Sequence, residues 1–230
     1  VASTPERQRA PRPSLSRKRV LEGAVRVADE RGAASVSMRK VAEHLGVEAM
    51  SLYHHVASKD EILDGIVDLV FGEIELPRDT ADWKGAMRRR ALSARAVLSR
   101  HIWALGLMDS RRDPGPATLR HHDWMIGCLR GAGFSIAMAA RAVSVLDSYV
   151  YGFVLQESSL PFDTSQEMED VAAAMLRALP TDEYPHLTEM ITSHALRTDY
   201  AYADEFAPGL DLVLDGLARA LDDAVGPSRP

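Results

Sequence analysis

Between Ser37 and Lys59 the chain reads SMRKVAEHLGVEAMSLYHHVASK, a run rich in hydrogen-bond donors at short spacing. Arg39 carries a planar fork that fits a guanine edge or a phosphate. Ser51, Tyr53, His54 and His55 add hydroxyl and ring N–H groups suited to phosphates or base edges. Lys59 opens a helix, so its charge adds to the positive end of that helix. These residue types suit non-covalent recognition of a polyanion better than proton or group transfer.

The elements that must position them are short helices. Ser37 is placed as the N-cap of a helix from Met38 to Leu45, Gly46-Val47 breaks it, and a second short helix runs from about Ala49 to Val56. Two short helices joined by a tight glycine turn match a helix-turn-helix, whose second helix fits the major groove of DNA. Val41, Leu45, Val47 and Leu52 point to a shared core, with the small Ala42 at the crossing. Arg39, Ala49, Met50, Ser51, Tyr53, His54 and His55 are left for the outer face. Tyr53 or one of the two histidines could equally belong to the core.

On either side stand longer helices. Ser16 is placed to cap the first, with Leu15 and Val20 as a hydrophobic staple and the stripe Val20, Leu21, Ala24, Val25, Ala28 ending at Gly32. Ser58 and Glu61 form a capping box before a helix with the stripe Ile62, Leu63, Ile66, Val67, Val70. Residues 1–14 are polar with three prolines, and are expected to be a disordered arm. Its Arg7, Arg9 and Arg12, continued by Arg17, Lys18 and Arg19, would add sequence-independent affinity for a polyanion.

Charge is divided in the same way. The whole chain of 230 residues carries a formal −6. Residues 1–60 hold 11 Lys/Arg against 7 Asp/Glu, and the rest hold 16 against 26. A basic front on an acidic body points to two jobs. The 46% apolar content is that of a globular protein rather than a disordered one. A single cysteine, Cys128, excludes an internal disulfide and a multi-cysteine metal site. There is no run of about 18 apolar residues and no apolar secretory signal, so a cytoplasmic location is expected.

Past a seam at Pro77–Asp82, helices are expected at about 83–99, 101–108, 116–131, 134–158, 167–178, 184–200 and 204–224. The 134–158 helix is apolar almost all round and the last one has a stripe of Leu210, Val213, Leu214, Leu217 and Leu221. A dimer interface would absorb that surface more naturally than one chain's core. Candidates for lining an apolar ligand cavity are Trp103, Leu107, Met108, Trp124, Met125, Cys128, Tyr149 and Phe153. Asp147 interrupts the most apolar helix and needs a partner, either a ligand amine or an arginine across the dimer. His121-His122-Asp123 is adjacent rather than four apart, which argues against metal. No G-x-S-x-G, P-loop or G-x-G-x-x-G is present, and Cys128 lacks an activating cation.

LSRKRVLEGAVRVADERG, MRKVAEHLGV and SLYHHVASKDEIL together resemble the N-terminal DNA-binding domain of the TetR family of transcriptional regulators. GFSIAMAARAVSVLDSYVYGFVLQE and FAPGLDLVLDGL are similar to the long dimerisation helix and the last helix of the tetracycline-repressor class. The resemblance implies a homodimer joined through a four-helix bundle of helices 134–158 and 204–224 of each subunit, and a repressor released by a small molecule. It implies base contacts from Arg39, Ser51 and His55 and phosphate contacts from Tyr53 and Lys59. Ala49 and Met50 replace larger polar or proline residues, so the operator is expected to differ. The histidine and asparagine that grip tetracycline and magnesium have no counterpart near Ile74-Glu75 or Arg89-Arg90, so that chelate is not the expected effector.

The expectation is therefore an all-α regulator without a cofactor. Residues 1–14 are the arm, 15–76 the helix-turn-helix domain, and 77–230 the ligand-binding and dimerisation domain. Its DNA-contacting set is Ser37, Arg39, Ala49, Met50, Ser51, Tyr53, His54, His55 and Lys59, and its partners are operator DNA, an effector and a second copy, with no membrane. The competing readings are a helical enzyme with a structural helix-turn-helix and an adaptor with a peptide-binding groove.

Overall fold

The computed structural model describes residues 14–225 apart from Asp109, Arg112, Asp163, Thr198 and Asp199. The expected basic arm lies outside the described residues but for Ser14. Among the described residues there are helices and turns and no strand. The helices are α1 (Arg17–Arg31), α2 (Met38–Leu45), α3 (Ala49–Leu52), α4 (Lys59–Glu73), α5 (Trp83–Arg100), α6 (Leu105–Met108), α7 (Pro116–Gly131), α8 (Ile136–Ser158), α9 (Ser165–Ala178), α10 (Pro185–Met190) and α11 (Phe206–Val225).

The helix starts are made by the side chains expected to make them. Ser16 Oγ accepts from Arg19 N at 3.3 Å, Ser37 Oγ from Lys40 N at 3.2 Å, and Ser58 Oγ from Glu61 N at 3.1 Å. The box at α4 is displaced by one residue. The Glu61 carboxylate accepts from Ala57 N at 2.7 Å rather than from Ser58, and that bond holds its carboxyl below the usual range. Glu61 also takes Arg17 Nε at 3.2 Å, tying the start of α1 to the start of α4.

Gly46 ends α2 with φ +66°, ψ 40°, the left-handed conformation that costs an L side chain energy. That turn sets α3 against α2. Leu52 and Val56 then bury with Val41, Ala42, Val20, Ala24, Ile62 and Ile66 in one apolar core. The second recognition element is shorter than its expected span of about 49–56. Regular helix covers Ala49–Leu52, and residues 53–55 continue as turn, closed by Val56 N donating to Leu52 O at 3.0 Å.

The body departs from expectation at two joints. The 101–108 segment begins as a 3₁₀ turn, Ile102–Ala104, because His101 leaves the helical region at φ −125°, ψ 51°. The 184–200 segment is split into α10 and a π-turn, Ile191–Ala195. On α8, the one helix among the described residues long and apolar enough to cross a membrane, Ala139, Ala142, Leu146, Val150 and Val154 are buried against the body, and 33% of its apolar window is buried in all. Ile136, Val145 and Leu155 of α8 and Leu212 of α11 remain exposed, Leu212 by 73%.

One start is capped from another helix. Gly115, the N-cap of α7, has no side chain to offer, and Asp68 of α4 accepts from Thr118 N at 2.8 Å and Thr118 Oγ1 at 3.0 Å. A Cβ on Gly115 would lie 2.3 Å from the Asp68 carboxyl carbon, so only glycine lets the two helices approach this closely.

Two substitutions test these local arguments. Gly46→Ala is expected to lower stability by about 1 kcal/mol through the left-handed turn. Asp68→Ala is expected to cost about 1 kcal/mol as a lost cap. Urea unfolding midpoints at constant m-value measure both.

Candidate nucleic-acid interface and the buried centre of the body

The buried side of the helix-turn-helix leaves a narrow set of groups outside. Arg39, Met50, Tyr53, His54 and Lys59 are exposed, Met50 by 73% and Tyr53 by 50%. Ala49, Ser51 and His55 are half-buried at the edge of the same turn. Ser37 is half-buried too, and its hydroxyl is occupied by the cap on Lys40 N. Accepting that bond leaves the Ser37 hydroxyl proton available to donate to a phosphate. Lys59 is the first residue of the 15-residue α4, beside the free N–H groups of its first turn. The geometry gathers a guanidinium, a phenol, imidazoles and an ammonium around one exposed helical turn. That arrangement can grip phosphates and reach base edges without covalent chemistry.

Three polar links that the sequence reading did not find join this face to the body. Asp64 of α4 holds Arg111 Nε at 2.6 Å, with Asp60 at 3.4 Å from the same guanidinium. Asp68 caps α7 as described. Asp29 of α1 accepts from both His101 Nδ1 and Trp103 Nε1 at 2.7 Å, and His101 Nε2 faces Glu73 of α4 at 3.5 Å. Asp60, Asp64 and Asp68 recur every four residues, the spacing of one helix face, which was the available signal. A cleft of about 1,030 Å³ runs beside these links, lined by charged side chains such as Arg26, Asp29, Glu73 and Arg100.

The structure separates the candidate ligand-lining residues. Trp103 serves the Asp29 link, and the Trp124 indole donates to Pro77 O at 3.1 Å. Leu107 and Met108 lie on or beside the short α6, half-buried and buried. Tyr149 donates to Phe206 O at 2.8 Å, and Phe153 stacks on Tyr202 with centroids 4.9 Å apart. Both belong to the α8–α11 seam, where the Arg95 guanidinium lies 5.2 Å from the Phe153 ring centre. Met125 and Cys128 are buried on the inner face of α7. Burial, then the Asp82 charge, pushes the Cys128 thiol up, keeping it protonated.

Asp147 has its arginine within the same chain. Arg90 of α5 is 1% exposed, and its Nη2 lies 2.7 Å from Asp147 Oδ1. The same guanidinium donates through Nε to His121 Nε2 of α7 at 3.1 Å, and Nη2 also faces that nitrogen. Arginine cannot accept, so Nε2 is the bare nitrogen and the proton of neutral His121 resides on Nδ1. Burial, followed by the Arg90 charge and His122, holds His121 down to about 2. Two buried donors, Arg90 Nη1 and His121 Nδ1, and one acceptor, Asp147 Oδ1, which is ion-paired with Arg90 Nη2, make no hydrogen bond among the described residues. Groups of that kind cost about 1–3 kcal/mol each when left unmade. No group of three His, Cys, Asp or Glu side chains among the described residues is arranged to hold a metal ion.

Comparison with known proteins covers both halves. Residues 20–66 match the family described as bacterial regulatory proteins, tetR family, and residues 76–221 match the tetracyclin repressor-like C-terminal domain. An HTH-type transcriptional regulator of Saccharopolyspora erythraea is 35% identical over 80% of this chain and 78% of its own length. The HTH-type transcriptional repressor DrrR1 of Streptomyces coeruleorubidus is 32% identical over 96% and 84%. The crystal structure of ActR from Streptomyces coelicolor in complex with actinorhodin superposes with a TM-score of 0.74 at 26% identity, covering 90% of this chain and 99% of that one.

The neutral His121 has a measurable consequence. An unfolded imidazole takes up its proton below about 6.5, whereas folded His121 stays neutral down to about 2. The unfolded state binds more protons as pH falls, so stability present above pH 6.5 is lost below it. By pH 5 the loss from this one group amounts to about 2 kcal/mol. Chemical unfolding of the wild type and His121→Phe between pH 8 and pH 5 is expected to show that excess loss in the wild type alone.

Proposed function

The chain belongs to the TetR family of bacterial regulatory proteins, and from that membership we propose a cytoplasmic homodimeric repressor. It binds a palindromic operator through residues 15–76 and lets go when a small molecule occupies the body. The family is one of transcriptional regulators rather than enzymes. The observation that carries the reading is the exposed cluster of Arg39, Tyr53, His54 and Lys59 on a helical turn whose other side is locked by buried Leu52. The relative named a repressor and the neighbour solved with a bound small molecule favour the ligand-released form.

Dimerisation is supported by the apolar side chains that one chain leaves uncovered. Ile136, Val145 and Leu155 on α8 and Leu212 on α11 are 47–73% exposed. Covering them with the same face of a second copy would remove that surface from water and form a two-fold assembly. The two-fold would present a pair of recognition turns to successive major grooves, about 34–36 Å apart.

The mechanism runs through α4. Its first turn is tied to α1 by Arg17–Glu61 and approaches Arg111 through Asp60, and its middle is tied to Arg111 by Asp64 and to the α7 start by Asp68. Near its end Phe71 meets the His121 ring edge-on at 5.0 Å. An effector that favours another arrangement of α7 displaces α4 with it. The spacing of the two recognition turns then no longer matches the grooves, and the operator-bound population falls. Tetracycline with magnesium is not the proposed effector. The sequence positions expected to supply its histidine and asparagine hold Glu75 and the Arg89-Arg90 pair, and Arg90 is engaged in the core.

Selection from random duplexes followed by anisotropy titration tests the reading. Arg39→Ala and Tyr53→Ala are each expected to weaken the selected operator by about tenfold or more with unchanged helicity, and Lys59→Ala to lower the salt slope by about one. An unchanged operator affinity in both Arg39→Ala and Tyr53→Ala rejects the assigned reading face. Leu212→Glu is expected to shift the sedimentation equilibrium toward monomer, and a dimer of unaltered strength rejects the proposed interface.

A further inference from the structure

The recognition turn carries one side chain that neither the core nor the donor set explains. Met50 is 73% exposed on a face whose other exposed groups, Arg39, Tyr53, His54 and Lys59, all offer hydrogen-bond donors. Its neighbours on the same turn look inward, with Ala49 packed against the common core and Leu52 fully buried in it. Met38 of α2 also packs on that core, whereas Met50 stands outside it. The fold therefore makes no use of this thioether, which is left for whatever docks on the turn. In a major groove the matching apolar feature is the thymine methyl.

The same exposure opens the sulfur to oxidants, and it does so selectively. Met87, Met108, Met125 and Met168 are buried, and Met38 and Met138 are half-buried. Met175 and Met190 are 48% and 50% exposed, but they stand on α9 and α10, away from the reading face. The single thiol is no competitor. Cys128 is 4% exposed, and burial pushes its thiol up, so the reactive thiolate is withheld. Met50 is thus the open sulfur of the reading face.

We propose that Met50 is an oxidation site through which a hydroperoxide takes the regulator off DNA. The inference rests on the reading of the chain as an operator-binding regulator and adds a second input to it. A lone pair of Met50 Sδ attacks the terminal peroxide oxygen, so that an S–O bond forms and the O–O bond breaks. Sulfur gives up two electrons and the peroxide gains them. The proton on the transferred oxygen passes to the departing one, which leaves as water or an alcohol. The sulfoxide is polar and offers acceptors only. Toward a groove, it loses the apolar contact and sets its oxygen against base acceptors and phosphates. Toward its own turn, it sets an acceptor beside Tyr53, whose N already donates to Met50 O at 3.3 Å. Because Met50 lies outside the core, the change reaches DNA binding without loosening the fold. A reductase using two thiols returns the thioether and yields a disulfide and water.

The test treats the full chain with hydrogen peroxide, follows each methionine by peptide mass spectrometry, and reads affinity for the selected operator by anisotropy. Conversion of Met50 is expected to weaken the operator about tenfold, the effect of one unpaired polar group in an interface, with unchanged helicity. Sulfoxide reductases for both epimers, supplied with dithiothreitol, are expected to restore it. Bound operator should slow the oxidation of Met50 and leave that of Met175 and Met190 unchanged. The double variant Met175→Leu with Met190→Leu should respond to peroxide as the wild type does. Met50→Leu, compared with itself before and after treatment, should not respond. Met50→Gln places an amide oxygen at similar reach and should bind like the oxidised protein, which serves if Met50→Leu loses the operator altogether. Met50 left unoxidised while Met175 and Met190 convert overturns the inference. So does an unchanged operator affinity at full conversion, a loss that persists in Met50→Leu, or one that the reductases do not reverse. Untreated protein that selects no operator rejects the regulator reading itself, and the switch with it.

Discussion

Arg90 cannot lose its charge, yet it is 1% exposed at the centre of the helical body. A guanidinium in that position must be met by a counter-charge and by acceptors, or the body does not close around it. Asp147 supplies the charge from α8 and His121 supplies a neutral acceptor from α7. The register of three helices is thereby set by one side chain. The apolar residues one turn away, Met87, Met125 and Val150, take their places around it. The same constraint keeps His121 neutral, since a second cation beside Arg90 would be repelled as well as desolvated.

Beside that centre runs α4, which packs against α1 on one side and α7 on the other. Its apolar stripe, Ile62, Ile66 and Val70, belongs to the common core, while its carboxylates face Arg111 and the start of α7. The helix is thus gripped on two sides by chemically different means. The apolar side gives it a fixed seat among α1 and its neighbours. The polar side bonds it to segments of the body, so a shift of α7 has direct hydrogen-bond purchase on it. The Asp29–His101–Trp103 cluster adds a second attachment through α1, bridging residues 72 and 74 apart in sequence. A regulator whose two ends must communicate needs such joints, and here each is a short, named contact.

Local patterns were strong guides wherever the physics is local. Ser16, Ser37 and Ser58 were legible as caps because the cap bond spans three residues. The Gly46 turn and the buried side of the recognition helix followed from spacing, and so did the outward set of Arg39, Met50, Tyr53 and His54. The length of α3 was less legible, since its last turn is held by a bond from Val56 and the packing of Leu52 rather than by propensity. The candidate ligand residues rested on residue type rather than on a local spacing. Trp103, Trp124, Tyr149 and Phe153 were grouped because large aromatics commonly line pockets; Trp103 and Trp124 each donate a hydrogen bond at a separate seam, and Tyr149 and Phe153 share the α8–α11 seam.

The sequence by itself determined an all-helical chain with a basic, donor-rich front, and the family to which it belongs. Those properties rest on periodicity, capping and motif spacing, all readable within a few turns of chain. Only the tertiary structure decided which arginine answers Asp147 and which ring nitrogen of His121 carries the proton. Residues 90, 121 and 147 are 31 and 26 positions apart, on three helices whose mutual rotation no local pattern encodes. Partners across such distances are chosen by packing, because a buried charge accepts whatever group the folded helices bring within hydrogen-bond reach.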